Sequence, residues 1–238
     1  MALDLLGVRV HEPDVVFTDL GLAILGAWLA WRLSRAAAGG PGTLSRDGAV
    51  VMGGLASAAL FGAVFHAFFP ARTATVWGFI AWMPVALSIL VVAATLLELG
   101  LRILAPRLAP GARRGVVAVY ALAFLAVVLL VDESFSSIVR FYLPALLLML
   151  VAAARRAMGA APWNAGWPAI AAGFTISVGG ALMQQAEVSV DPVYFNHNAV
   201  YHVVQAVAVV TLYRGFRRAR EAPASAHAGR TDPALRPR

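Results

Sequence analysis

The stretch ATVWGFIAWMPVALSILVVAATLLELGLRIL (Ala74–Leu104) decides the fold class. Its only charged residues are Glu98 and Arg102. An apolar segment of roughly 20 residues already crosses the hydrocarbon core of a bilayer as a helix, and this one is longer. Because Pro84 interrupts it, we expect the helix to tilt or kink. The stretch therefore predicts a membrane-spanning helix.

The rest of the chain repeats this pattern. Hydrophobic residues make up 61% of the sequence and charged residues 13%, whereas soluble domains have about 45–50% and 25%. This composition excludes a soluble enzyme. We predict an all-α polytopic integral membrane protein, a seven-transmembrane-helix bundle over residues 15–213. The six further spans are Val15–Leu33, Ala49–Phe69, Gly115–Val131, Val139–Ala154, Trp167–Gln184 and Asn198–Tyr213.

Arginine predicts the orientation of the bundle. Thirteen arginines lie in one alternating set of connections and at the start of the tail, against Arg9, Arg72 and Arg140 on the opposite side. Basic residues favour the cytoplasmic side. We therefore expect an N-out/C-in arrangement, with residues 1–14 as a short extracytoplasmic N-terminus. Residues 214–238 are predicted to be a disordered, arginine-rich cytoplasmic tail that anchors the topology or contacts anionic lipids.

Two residue types are missing from the chain. There is no cysteine and no lysine, so all 19 basic residues are arginine. This excludes disulfides, thiolate metal sites, lysine Schiff bases and a Walker-type lysine. The formal charge of +7 flanks apolar segments and gives no sign of a nucleic-acid partner. The alanine-rich, arginine-only composition is typical of a GC-rich bacterial genome, and hence of a bacterial cytoplasmic (inner) membrane.

Polar side chains gather at one end of the predicted bundle. Ionisable and polar residues are costly inside a membrane, so each is a candidate for function. The predicted topology brings them into one layer near the outer surface. They include His66, Asp132, Gln184, His197, Asn198, Tyr201 and His202, with Gln205 further along the last span.

On the second span, Gly54, Ala58, Gly62 and His66 follow at intervals of four and share one narrow face. Small residues let a neighbouring helix approach closely. His66 is therefore expected to point into the bundle. Plain helix packing, with the histidine bonded to a carbonyl, is the alternative.

On the last span, Asn198, His202 and Gln205 share a face, with Tyr201 beside them. His197 precedes His202 by five residues, which separates the two by about 140° on a regular helix. They reach one ion only if the first turn is loosened, and His197 is otherwise an N-cap or interfacial residue. Asp132 is likewise either part of the site or, with Ser134 and Ser136, one of three candidate caps of the fifth helix.

Imidazole and carboxylate are the metal ligands that this chain can offer. Neutral histidine suits Zn²⁺, and three protein ligands with an open fourth position give a catalytic geometry. The candidate ligands are His66, His202 and either His197 or Asp132. If Asp132 is not a ligand, it would act as general base or orient the water. Such a site would hydrolyse a bond in an apolar setting.

The seven spans, the N-out arrangement, His66 and the stretch NHNAVYHVVQ (196–205) resemble the alkaline ceramidase and adiponectin-receptor superfamily. That resemblance implies an intramembrane zinc amidohydrolase or a related receptor acting on lipid amides. His66 matches the histidine ligand of the second span, and His202 matches the second histidine of the last-span pair. Asn198 stands at the first position of that pair, and Gly62 replaces the family's serine. The aspartate of the early third span has no counterpart.

Three hypotheses follow. The first is a metal-dependent hydrolase of lipid amides or esters, with its site near the outer leaflet. The second is a non-enzymatic seven-helix sensor or small-molecule binder whose His/Asp/Gln cluster is structural or reports external pH. A permease ranks lowest. The expected partners are membrane lipids and a lipid-like small molecule.

Overall fold

The computed structural model describes residues 2–5, 7–38, 43–159 and 164–219, and most of these residues are helical. A two-stranded hairpin precedes seven long helices, and a short 3-10 turn, Arg72–Ala74, precedes the third of them. The strands are β1 (Ala2–Leu5) and β2 (Val8–His11). The helices are α1 (Pro13–Ala38), α2 (Thr43–Phe68), α3 (Val76–Leu104), α4 (Pro110–Leu130), α5 (Phe135–Ala157), α6 (Trp167–Gln185) and α7 (His197–Arg218).

The helices confirm an all-α protein of the membrane class. Six of the seven described helices are long and apolar enough to cross a bilayer; α6 is the exception. All seven predicted spans coincide with a helix. The helix α7 continues to Arg218, so the first residues of the predicted tail are helical, whereas residues 220–238 lie outside the described part of the chain.

The bundle is assembled from neighbouring helix pairs. α1 packs against α2 and α7, α3 lies between α2 and α5, and α6 joins α5 to α7. The peripheral helix α4 buries only Phe124 and Val128 among its residues, while Leu122 and Leu130 are exposed. An apolar exterior of this kind is expected of helices that contact lipid tails.

Close packing is tightest at the end where α7 finishes. A Cβ atom built on Gly215 would lie 2.6 Å from Cγ1 and 2.7 Å from the backbone nitrogen of Ile170. On Gly48 it would lie 2.7 Å from the ring of Phe216, whose side chain is fully buried. Because backbone and ring cannot give way, glycine is what allows α2, α6 and α7 to approach here.

The N-terminal hairpin is a feature that the sequence did not predict. β1 and β2 are antiparallel, with Ala2 opposite His11, and Gly7 makes the turn at φ +81°. Val10 of β2 is buried against α1 and the end of α2. Glu12 then adopts a left-handed φ of 44° and leads directly into α1. The residues predicted as a plain N-terminal segment thus reach the polar end of the bundle.

Candidate functional site

A cavity of about 440 Å³ opens at the end of the bundle where α2 and α6 finish and α1, α5 and α7 begin. This is the layer in which the sequence placed its polar residues. The cavity brings together seven of them, namely His66, Gln184, His197, Asn198, Tyr201, His202 and Gln205. Its apolar lining includes Leu55, Phe65, Trp82, Val85, Ile89 and Phe135.

Asp19 of α1 is the most buried acid at the cavity, with 3% of its surface exposed. Its Oδ1 lies 3.1 Å from Nε2 of His202. The other ring nitrogen of His202, Nδ1, lies 3.2 Å from the hydroxyl of Thr18. That hydroxyl is also within hydrogen-bond distance of the carbonyls of Asp14 and Val15. Both nitrogens of His202 are therefore engaged by side chains of the first helix.

A second acid–histidine pair lies at the same end. Nδ1 of His66 is 2.5 Å from Oε2 of Glu12, which stands between the hairpin and α1. The side chain of His66 is 13% exposed and that of Glu12 is 30% exposed. His66 lines the cavity, so its Nε2 is the ring nitrogen left for a molecule bound there. The structure confirms that His66 points into the bundle.

The small residues ahead of His66 serve different neighbours. A Cβ atom on Gly54 would meet Val92 of α3, as expected of a packing glycine. A Cβ atom on Gly62 would lie 2.9 Å from Oδ2 of Asp19, so this glycine makes room for the buried carboxylate. Ala58 lines the cavity itself. One face of α2 therefore combines packing with the site.

The first turn of α7 is regular. The cap is Asn196, whose side-chain oxygen accepts hydrogen bonds from the backbone nitrogens of Asn198 and Ala199. His197 is thus the first helical residue and not the cap, and it lines the cavity. The amide of Gln184 donates to Asn198 at 3.1 Å. α6 and α7 are therefore joined by side-chain hydrogen bonds beside the cavity.

The connection between α4 and α5 places a carboxylate beside an aromatic wall that α2, α3 and the start of α5 form. Nε1 of Trp82 donates to the backbone oxygen of Glu133 at 2.7 Å. The Trp82 ring lies 4.9 Å from Phe65 and 6.3 Å from Phe135, centroid to centroid. Glu133 lines the cavity beside these rings, and the described contacts give its carboxylate no hydrogen-bond or ion-pair partner.

Asp132 takes part in the start of α5. Its carboxylate accepts hydrogen bonds from the backbone nitrogen of Ser134 at 3.0 Å, from the Ser134 hydroxyl at 2.9 Å and from the Ser137 hydroxyl. Ser134 is the N-cap residue. These bonds, that from Ser137 foremost, hold the pKa of Asp132 below its usual value. Asp132 does not line the cavity, and among the three cap candidates the structure has Ser134; the catalytic role of Asp132 stays a prediction.

The described side chains do not fit a metal ion as they are arranged. Within the described ranges, no group of three or more histidines and acids is close enough to hold one. Nδ1 of His66 faces Glu12, and both nitrogens of His202 face Asp19 and Thr18. The three-histidine zinc site of His66, His202 and His197 remains a prediction.

Sequence analysis missed the residues that contact the two histidines. Asp19 and Thr18 lie within the predicted first span, and Glu12 lies three residues before its start at Val15. An acid inside an apolar span was the available signal for Asp19, because such residues are costly unless they have a partner. For Glu12 no signal existed, since its position depends on the hairpin.

A family model matches residues 15–221, which include nearly all of the seven helices. The chain belongs to DUF6962, a family of unknown function. The matched region contains Asp19, His66 and His202, whereas Glu12 and the hairpin precede it. No curated protein and no solved structure matches the chain. The relationship to the alkaline ceramidase and adiponectin-receptor superfamily therefore stays a prediction.

Proposed function

We propose that this protein binds a small amphipathic, lipid-like molecule at one surface of a membrane. The observation that carries the proposal is the cavity of about 440 Å³. It has the volume of sites that take small organic ligands, which range from roughly 300 to 1,000 Å³. Its wall is divided between hydrogen-bonding side chains and a contiguous apolar surface.

The division of the wall determines the kind of ligand. Asp19, His66, Asn198 and His202 offer charged or hydrogen-bonding groups, and most of these groups already have protein partners. A cavity with its polar groups held in place favours a ligand that presents one polar end, because little side-chain conformational freedom must be lost on binding. The apolar wall accepts the other end of the ligand.

Mass spectrometry of molecules that remain bound during purification in a mild non-ionic detergent tests the proposal. The wild-type protein should retain about one amphipathic molecule per chain. Ala58→Phe should lose it, because Ala58 lines the cavity and the ring would fill it.

The matched control is Val64→Phe, which adds a similar bulk on the exposed face of the same helix. This variant should retain the molecule. If both variants carry the same molecules as the wild type, those molecules are lipids on the outer surface and the proposal fails. Absence of any retained molecule, together with no binding of added amphiphiles, also overturns it.

Hydrolysis of a lipid amide or ester is the second candidate function. It is favoured by the pairing of Glu12 with Nδ1 of His66. A carboxylate on Nδ1 fixes the tautomer and leaves Nε2 as a general base. Nε2 would take a proton from a water molecule that attacks the carbonyl carbon of the bound ligand, and His66 would return the proton to the leaving group.

Two measurements test this second function. Purified wild-type protein should release the acid from a p-nitrophenyl ester of a medium-chain fatty acid, and Glu12→Gln and His66→Gln should each lower the rate about a hundredfold. Metal content by elemental analysis, wild type beside His66→Ala/His202→Ala, tests the zinc hypothesis separately. Equal rates of ester hydrolysis in the wild type, Glu12→Gln and His66→Gln would exclude hydrolysis by the Glu12–His66 pair.

We further propose seven membrane crossings, with the N-terminus outside and the C-terminus in the cytoplasm of a bacterial inner membrane. The arginine distribution supports this orientation. It is tested with single cysteines, for which the cysteine-free chain is already suited. In intact cells, Arg9→Cys should react with a membrane-impermeant maleimide and Arg218→Cys should not. The reverse labelling would invert the topology.

A further inference from the structure

Resting on the proposed function, we propose that the cavity selects an alkylammonium amphiphile, a molecule with a positively charged amine at one end and a hydrocarbon chain at the other. Three features of the cavity support this ligand class. They are its aromatic wall, the charges of its lining, and a narrow apolar extension between α5 and α6.

The aromatic wall is suited to an alkylated cation. Phe65, Trp82 and Phe135 are in mutual contact through Trp82, and Tyr201 lines the same cavity. An ammonium group over the face of such rings is attracted by their electron density, and alkyl groups on the nitrogen add apolar contact. An anionic head group would be repelled by the same faces.

The charged lining has the sign that an ammonium group requires. Asp19 and Glu133 line the cavity together with His66, His197 and His202, and the described lining contains no arginine. Glu133 stands beside the aromatic wall, with its backbone oxygen held by Trp82 and its carboxylate without a described partner. A cation seated between the rings and this carboxylate would satisfy both.

The surrounding charges act in the same direction. Among the arginines of the described residues, three belong to elements at the cavity end of the bundle, namely Arg9, Arg72 and Arg140. A concave surface of one sign raises the local concentration of ions of the opposite sign. Within the described ranges, Asp47 and Glu98 are the acids at the other end, and eight are found at this end: Asp4, Glu12, Asp14, Asp19, Asp132, Glu133, Glu187 and Asp191.

A path for the chain continues from the apolar side of the cavity. A second void of about 40 Å³ shares Leu55, Ile89 and Phe135 with it, together with the polar residues Gln184, Tyr201 and Gln205, and extends along α5 to Leu146. Leu146 lies 11 residues beyond the start of α5 at Phe135, roughly 16 Å along the helix axis and thus about half the thickness of a bilayer core. The void is narrow, so the chain would enter as the side chains of α5 and α6 move apart.

The test is calorimetric titration of the full-length protein in a non-ionic detergent. The probes are octyltrimethylammonium, octanesulfonate and octanol, which share one chain, and tetramethylammonium, which has none. Octyltrimethylammonium should bind at least about tenfold more tightly than each of the others. Tighter or equal binding of octanesulfonate or octanol overturns the charge selection. Equal binding of tetramethylammonium overturns the role of the chain.

Variants locate the effect. Glu133→Gln should weaken octyltrimethylammonium binding roughly threefold to fivefold, with octanol unaffected. Glu187→Gln removes an equivalent charge from an exposed position outside the cavity and should change binding less than twofold. Equal losses in the two variants would assign the selectivity to the general field and overturn the site.

A failure of this inference differs from a failure of the proposed function. If octanol and octanesulfonate bind as well as the ammonium compound, and Ala58→Phe abolishes all three, the cavity takes amphiphiles without regard to charge. If none of the eight-carbon probes binds, both proposals fail.

Discussion

The two ends of the helix bundle differ in how closely their side chains are packed. At the end where α7 finishes, glycine allows backbones and rings to pack without space, as at Gly215 against Ile170. At the other end, Gly62 faces the carboxylate of Asp19, and a cavity of about 440 Å³ is left open. The first arrangement favours stability, and the second keeps polar groups available to a ligand.

The partners of the acidic residues also differ between the two ends. At the close-packed end, acids are paired with arginines of neighbouring helices, as in Asp47 with Arg102 and Glu98 with Arg113. At the cavity end, the acids meet histidines. Arginine only donates hydrogen bonds, whereas a neutral histidine ring both donates and accepts them. Comparable substitutions at the two ends should therefore affect different properties.

The largest expected effect is on stability at the close-packed end. Gly215→Ala should lower the free energy of unfolding by about 2–3 kcal/mol, because the added methyl group meets the backbone of Ile170. Equilibrium unfolding in mixed micelles measures it. Gly179→Ala, on an open face of α6, is the control and should gain about 0.5–1 kcal/mol from helix propensity. Similar losses in both would remove the distinction between the ends.

An intermediate effect is expected for the arginine pairs. Arg113→Gln should cost about 1–2 kcal/mol, since it leaves Glu98 partly buried beside a neutral amide. Arg114→Gln changes the exposed neighbour and should stay within about 0.5 kcal/mol. The same unfolding measurement compares them. A larger loss for Arg114 would place the structural ion pair elsewhere.

At the cavity end, a glycine substitution should alter binding more than stability. In Gly62→Ala the methyl group meets the terminal Oδ2 of Asp19, which shifts more easily than backbone does, so the cost should stay below that of Gly215→Ala. Retention of the bound molecule should fall, as measured by mass spectrometry. A stability loss equal to that of Gly215→Ala, with retention intact, would contradict a separation of roles.

The smallest effect concerns pH and the start of α5. The pKa of Asp132 is lowered in the folded protein, first by the Ser137 hydroxyl, so its ionised form contributes stability above the usual pKa of 3.8. That contribution is lost as the pH falls through the lower, folded value. The wild type should therefore have a higher melting temperature than Asp132→Asn at pH 6, and the difference should shrink below pH 4. A difference that does not depend on pH would assign the effect to hydrogen bonding alone.

Parts of the candidate site could be predicted because helix periodicity places residues on a face. The inward direction of His66 followed from the small residues before it, and the polar layer at one end followed from alternating spans. The partners of the histidines could not be predicted, because hydrogen bonds between helices that are distant in sequence leave no pattern in the local spacing of residues. On α3, for example, Glu98 accepts a hydrogen bond from Arg113 of α4, and Arg102 donates one to Asp47 of α2. Both contacts join different helices.

The sequence by itself determined the membrane class, the number and position of the helices and the gathering of polar residues at one end. These depend on composition and on local apolar runs. Exposing such runs to water costs free energy roughly in proportion to their apolar surface area. Only the tertiary structure decided that Asp19 would meet His202, that Glu12 would reach His66 through a hairpin, and that an open cavity would lie between them. Those contacts depend on how helices from distant parts of the chain cross, which side-chain shape at each interface determines.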